Sequence, residues 1–254
     1  MMEEKIGRTE LVVDPFHTDF AGRLNYGTLG KHLLNSAENH ACGRGFGMKV
    51  LNEANYTWVL SRLVIEMYEM PEVYDKFCID TWIENVYRLF CDRNFRIQGE
   101  NGKVFGYARS IWAMINYDSR EPIDLHEVHG QNMDKYICTD TQCPVEKQGK
   151  VRPLSDDMLV RTVNTKYSDI DYNGHVNSIK YIEHICDLFP LEKYRDANVR
   201  RIEMAYMAES YIGDTLSFFM EEKDNGTYHV EIRKNYQENV SKGEPVVRCK
   251  LVFE

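Results

Sequence analysis

The chain has 254 residues, 43% hydrophobic and 12% aromatic, with seven cysteines and a formal charge of −9. This is ample for one large packed domain or two of about 120 residues, and the acidic balance argues against nucleic acid as the main partner. No apolar run reaches the roughly 18 residues of a membrane helix, so no membrane span is expected.

The cysteines are scattered, with no Cys-x-x-Cys and no neighbouring histidine pairs. They read as reduced core thiols rather than a zinc site, and nothing in the pattern asks for a metal or other cofactor. Met1 to Glu10 has neither an apolar signal core nor an arginine-rich transit pattern, and a cytoplasmic protein is expected.

Taken in order, Thr9 to Val13 predicts a first strand. From Tyr26 to Ala41 a helical face runs through Leu29, Leu33, Ala37 and Ala41. Gly43, Gly45 and Gly47 end it; they do not follow a strand and open a helix, as a phosphate loop would. Strands follow at Tyr56 to Met67, around Phe77 to Glu84, at Leu89 to Ile97 and at Val104 to Tyr117, with Asn101-Gly102 as a hairpin turn. Residues 121–157 are rich in proline and polar side chains and predict a connector with some local structure. The second half starts with a strand at Leu159 to Lys166 and a helix at Gly174 to Phe189. Strands follow at Val199 to Tyr206, around Leu216 to Met220, around Tyr228 to Ile232, and around Val247 to Phe253.

The two halves repeat one plan. Asp19-x-x-Gly22-Arg23-Leu24-Asn25 matches Asp171-x-x-Gly174-His175-Val176-Asn177 at an offset of 152 residues. Tyr74-Asp75 matches Gly213-Asp214 at an offset of 139. Each half is a strand, a long helix and a run of antiparallel strands. That predicts an α+β fold in which a sheet wraps a helix, with domains at 1–120 and 158–254.

The polar cluster Asp171 to Asn177 stands where the second helix is expected to begin. A helix N-terminus offers unpaired N–H groups and a positive dipole end, a setting that stabilises an oxyanion beside groups able to do acid/base work. An acid or amide in that place is also the usual helix cap.

The motif Asp-x-x-Gly-His-Val-Asn-x-x-x-Tyr resembles that of the hotdog-fold thioesterases. Trp58 to Leu63, Asp80-Thr81-Trp82, Arg93-Asn94-Phe95 and Ala108 to Asn116 look like matching segments of plant and bacterial acyl-ACP thioesterases. The resemblance runs from about residue 5 to the C-terminus and implies two tandem hotdog domains, each an antiparallel sheet around a long central helix. It implies an enzyme that hydrolyses a fatty acyl thioester on acyl carrier protein and so ends fatty-acid synthesis. The other readings are an acyl-CoA thioesterase of the same chemistry and a non-catalytic acyl-binding hotdog protein.

By that resemblance the catalytic set is Asp171, Asn173 and His175, with Glu209 supplied by the segment Tyr206 to Ser210. Many plant members carry a cysteine after the glutamate; Ser210 stands there in this chain, which argues against a papain-like cysteine mechanism. The plant enzymes also carry a plastid transit peptide, and its absence fits a bacterial cytoplasmic member. In the first half Arg23 replaces the histidine, Ala21 the asparagine, and Met70 falls where Glu209 aligns. One site per chain is therefore expected, in the C-terminal half, with the N-terminal half supplying most of the acyl pocket.

Thioester hydrolysis needs a nucleophile, an oxyanion site and a stabilised thiolate. Backbone N–H groups at Gly174 and Val176 are the expected oxyanion donors. Asp171 either attacks the carbonyl or activates water; the family's mechanistic reading favours attack. The carrier protein is acidic, so Arg195, Arg200 and Arg201 are candidates for docking it, though they read equally well as ordinary surface charges. The protein is expected to be a monomer or a homodimer.

Overall fold

A computed structural model gives the architecture and describes residues 5–128 and 133–254. Residues 1–4 of the expected first domain and 129–132 of the expected connector lie outside the described residues. The chain forms two compact units, Met1–Lys147 and Gln148–Glu254. Both are α+β and built on an antiparallel sheet. Among the described residues no helix is long and apolar enough to cross a membrane.

The first unit contains β1 (Ile6–Val12), α1 (Tyr26–Cys42), α2 (Met48–Glu53), β2 (Tyr56–Met67), β3 (Lys76–Val86), β4 (Phe90–Gly99), β5 (Val104–Asn116) and the helical turn α3 (Leu125–Val128). Its strands run in the order β1-β3-β4-β5-β2. Helix α1 begins where Asn25 accepts the N–H of Thr28 at 2.7 Å, an N-cap that satisfies one of the orphan donors of the first turn. Its apolar stripe, Leu29, Leu33, Ala37 and Ala41, is buried. So are Ile79, Ile83, Phe95, Ile97 and Ala108 of the strands. Each leucine so buried contributes about 1.5–3 kcal/mol.

The second unit contains β6 (Leu159–Asn164), α4 (Ser178–Cys186), α5 (Leu191–Asp196), β7 (Val199–Tyr206), β8 (Thr215–Asp224), β9 (Thr227–Lys234) and β10 (Glu244–Phe253). The order is β7-β10-β9-β8-β6. Ile179, Ile182 and Ile185 of α4 are buried, as are Phe218, Val230 and Leu251 of the strands.

This helix is shorter than its apolar spacing predicts. Gly174 takes φ +81°, a left-handed conformation that glycine adopts without strain, and residues 171–175 close into a turn. The helix starts only after Asn177, which accepts the N–H of Ile179 at 2.9 Å.

The stretch expected as a connector is packed, and the two units share it. Leu125, Met133 and Tyr136 join Phe46, Leu51 and Met114 in the core of the first unit. Cys138 donates its N–H to the carbonyl of Ile83 at 2.9 Å, and Lys147 pairs with Asp92 at 3.0 Å. In the second unit Gly149 N–H donates to Glu203 at 2.6 Å. Arg233 donates to Asp156 and to the carbonyl of Leu154. Proline and charge in this stretch set its irregular path, while a few apolar side chains and sheet-borne charges fasten it.

Candidate active site

The turn before α4 is a short ladder. Asn177 N–H donates to Asp169 O at 2.8 Å, Ile170 and Val176 form a β-bridge, and Asp171 N–H donates to His175 O at 2.8 Å. The Asp171 carboxylate fills its mouth, Oδ1 accepting the N–H groups of Asn173 at 2.8 Å and His175 at 3.2 Å. Oδ2 has no hydrogen-bond or ion-pair partner among the described residues.

The bend after β7 meets this turn edge to edge. Val176 N–H donates to Ser210 O at 2.7 Å, and His175 bridges Tyr211. That pairing brings Glu209 to His175, with Oε2 3.5 Å from Nε2. The Tyr211 hydroxyl donates to the same Oε2 at 3.2 Å, and its ring stands edge to face with the imidazole at 5.1 Å between centroids. Lys234 Nζ donates to the Glu209 carbonyl at 2.7 Å. His175 and Glu209 keep 20% and 29% of their side-chain surface exposed, so the pair is held by its neighbours yet reachable from solvent. Asn173 is partly exposed on the same turn. The structure thus joins His175 to Glu209, 34 residues apart in sequence, and places Asp171 and Asn173 on the turn that carries His175.

The first unit repeats this turn bond for bond. Asp19 N–H donates to Arg23 O, Gly22 N–H to Asp19 O, and Leu24 N–H to Pro71 O. Asp19 Oδ1 accepts the N–H groups of Ala21 and Arg23 at 2.8 and 3.1 Å, and Arg23 bridges Glu72. The two offsets read from sequence therefore correspond to matching backbone bonds. One oxygen differs: Asp19 Oδ2 is closed by the Arg23 guanidinium at 3.2 Å. Oδ1 is architectural in both units, and the open Oδ2 belongs to the second alone.

Two expectations need correction. The N–H groups of Gly174 and Val176 are already spent on Asp171 O and Ser210 O, because the turn is hydrogen-bonded internally rather than helical. The first helical N–H is that of Ser178, which an α-helix leaves without an intrahelical partner. The arginine cluster also divides. Arg201 is mostly buried and pairs with buried Glu203 at 2.8 Å, so it is not a docking group. Arg195 is exposed and pairs with Glu192 at 3.5 Å, and Arg200 reaches Glu254 at 3.5 Å.

Ser210 is fully buried. Its hydroxyl and that of Tyr181 are neighbours without a well-formed hydrogen bond between them. Burial, the larger effect, pushes the Tyr181 phenol up to about 12. A side chain so enclosed cannot reach a substrate carbonyl. Tyr211 and the Asp169–His184 contact, 3.1 Å from Oδ1 to Nε2, had no sequence signal; they emerge only from the pairing of the turn with the bend and helix.

Two family models match the chain: the acyl-ACP thioesterase N-terminal domain over residues 6–131 and the acyl-ACP thioesterase C-terminal domain over residues 154–254. A chloroplastic palmitoyl-acyl carrier protein thioesterase of Gossypium hirsutum is 28% identical over 196 residues, covering 72% of this chain and 46% of the relative. A chloroplastic oleoyl-acyl carrier protein thioesterase of Arabidopsis thaliana is 27% identical over 209 residues, covering 74% and 56%. The chain thus spans about half the length of these curated relatives. The crystal structure of an acyl-ACP thioesterase from Bacteroides thetaiotaomicron is 54% identical, superposes with a TM-score of 0.91 and covers 100% of both chains. The 12:0-ACP thioesterase of Umbellularia californica shares the fold at a TM-score of 0.85 and 16% identity, covering 100% of this chain and 99% of that one.

Proposed function

Because the chain belongs to the acyl-ACP thioesterase family, we propose that its second unit hydrolyses the thioester of a fatty acyl chain on acyl carrier protein. Water is consumed, the C–S bond breaks, and free fatty acid and the carrier thiol are released, which ends chain synthesis. The observation that carries this reading is the open Asp171 Oδ2 on the turn that bears His175, itself paired with Glu209 at 3.5 Å. The first unit has the same turn with that oxygen closed, so one site per chain is assigned. The two units are read as tandem hotdogs, each with its helix against its sheet.

In this mechanism Oδ1 fixes the carboxylate and Oδ2 acts. It either attacks the thioester carbon, expelling the thiolate and leaving an anhydride for water to open, or takes a proton from the attacking water. Asn173 orients the carboxylate or the water. Glu209, oriented by the Tyr211 hydroxyl, holds the His175 ring and is the alternative base. The oxyanion is assigned to the Ser178 N–H at the positive end of α4. One such donor is typically worth about 10²–10³ in rate.

The basic surface for the acidic carrier is assigned to Arg195 and Arg200; docking exchanges their present carboxylate partners for those of the carrier. Hydrolysis of matched acyl-ACP and acyl-CoA chains tests the assignment: Arg195→Glu with Arg200→Glu should raise KM for acyl-ACP alone. Faster turnover of acyl-CoA than acyl-ACP by the unaltered protein would overturn the choice of substrate. A single turnover in ¹⁸O-water tests the covalent route, because label in Asp171 requires attack by that residue and opening of the anhydride at the Asp171 carbonyl.

A further inference from the structure

Next to the site, on the turn that carries it, stands a buried acid that the chemistry described above does not use. Asp169 is 5% exposed, yet its Oδ1 lies 3.1 Å from His184 Nε2 and its Oδ2 accepts the N–H of Lys166 at 2.7 Å. Its carbonyl accepts the N–H of Asn177 at 2.8 Å. Asp169 therefore forms the lowest rung of the turn that carries Asp171 and His175, and its side chain reaches the last turn of α4.

The first unit builds the same rung with a histidine in place of the acid. The equivalent positions hold His17 and His32, whose rings meet edge to face at 5.9 Å. The His17 carbonyl still accepts the N–H of Asn25 at 3.0 Å, and His32 Nε2 is buried without a hydrogen-bond partner. The turn and its capped helix thus form with two histidines. A buried carboxylate joining the turn to an imidazole of the helix occurs in the unit whose Asp carboxylate is open; in the first unit His17 meets the exposed Asp14, at 3.5 Å, so the buried contact exceeds what the fold requires.

We propose that Asp169 and His184 are a positioning pair for the thioester hydrolysis assigned to the second unit, on which this inference rests. The proposed machinery sits on two elements: Asp171 and His175 on the turn, and the Ser178 N–H at the start of α4. The Asp169–His184 contact clamps turn to helix beneath both. It fixes where the attacking oxygen stands relative to the oxyanion donor without touching substrate.

Asp169→His copies the arrangement of the first unit, so the turn should still form. Kinetics on acyl-ACP should show kcat reduced about 10- to 100-fold with KM changed less than about threefold, as expected when reacting groups shift by around an ångström. His184→Leu should do the same, while His184→Gln, which keeps a donor for Oδ1, should recover most of the loss. A purely structural pair would instead lower Tm and leave kcat alone. Retention of kcat within about twofold in both Asp169→His and His184→Leu would overturn the proposal, as would equal losses in His184→Gln and His184→Leu. If Asp169→His does not fold, the two His184 variants decide. Unaltered protein that cleaves neither acyl-ACP nor acyl-CoA would remove the hydrolase assignment, and the pair's role with it; activity in the unaltered protein isolates the test to the pair.

Discussion

Replacing Asp171 by Asn separates architecture from chemistry at a single residue. The amide oxygen of Asn can take over the two N–H bonds that Oδ1 accepts at 2.8 and 3.2 Å. The turn then loses only the strengthening that an ionised acceptor gives, about 0.5–1.5 kcal/mol. For a chain of this size that shifts Tm by about 2–5 °C. The other terminal atom becomes an NH₂ group, which can neither attack a carbonyl nor accept a proton. Loss of that function should reduce kcat by about 10²–10⁴, or about 3–5 kcal/mol of transition-state stabilisation, with KM nearly unchanged. The assay is steady-state release of carrier thiol from acyl-ACP, run beside thermal unfolding. Asp19→Asn is the internal control, because it weakens the matching turn of the first unit and should leave kcat within about twofold. A kcat for Asp171→Asn within about tenfold of the unaltered protein, at similar Tm, would refute the role of Oδ2. A collapse in Tm would refute the separation of the two oxygens.

Ser210→Ala should be mild, with kcat within about threefold and Tm unchanged or raised, since a buried hydroxyl without a good partner is not worth keeping; inactivity would restore a catalytic role at that position. Arg201→Ala should cost about 1–3 kcal/mol by urea unfolding, because among the described residues Glu203 then keeps Gly149 N–H at 2.6 Å and Lys250 at 3.7 Å; unaltered stability with weaker acyl-ACP binding would make Arg201 a docking residue after all. Burial above all, with Arg93 and Arg44 adding, pushes His40 down to about 3 from its ordinary 6.5. As pH falls the unfolded chain therefore takes the proton first, so the stability due to neutral His40 is complete above about 6.5 and drains away toward about 3. Unfolding at pH 7 and pH 5 should differ by about 2 kcal/mol from this residue, and His40→Gln should remove that part; an equal pH effect in both proteins would refute it.

The strands were legible because alternation and β-branched runs report a half-buried sheet directly. Tyr56–Met67 and Val199–Tyr206 have the bounds their sequences predict. The duplicated turn was legible as well, since Asp, Gly and Asn recur at fixed spacing and each has a backbone task. What sequence could not resolve was direction. Apolar spacing carried the second helix back to Gly174, but whether an N–H points along a helix or into a turn depends on the φ of that glycine. Nor does a string of residues show that Arg201 faces a buried carboxylate while Arg195 faces solvent. The Asp169–His184 contact spans 15 residues across a turn and two helical turns, and no local pattern marks it.

The division of the connector governs how the protein is taken apart. A half-chain ended near residue 120, where composition changes, would lack Leu125, Met133 and Tyr136 from its core. One begun at 158 would leave Glu203 and Arg233 without Gly149, Leu154 and Asp156. Halves prepared for separate expression, isotope labelling or recombination with relatives are to be cut between Lys147 and Gln148. There each piece keeps the length of strap that neutralises its own sheet.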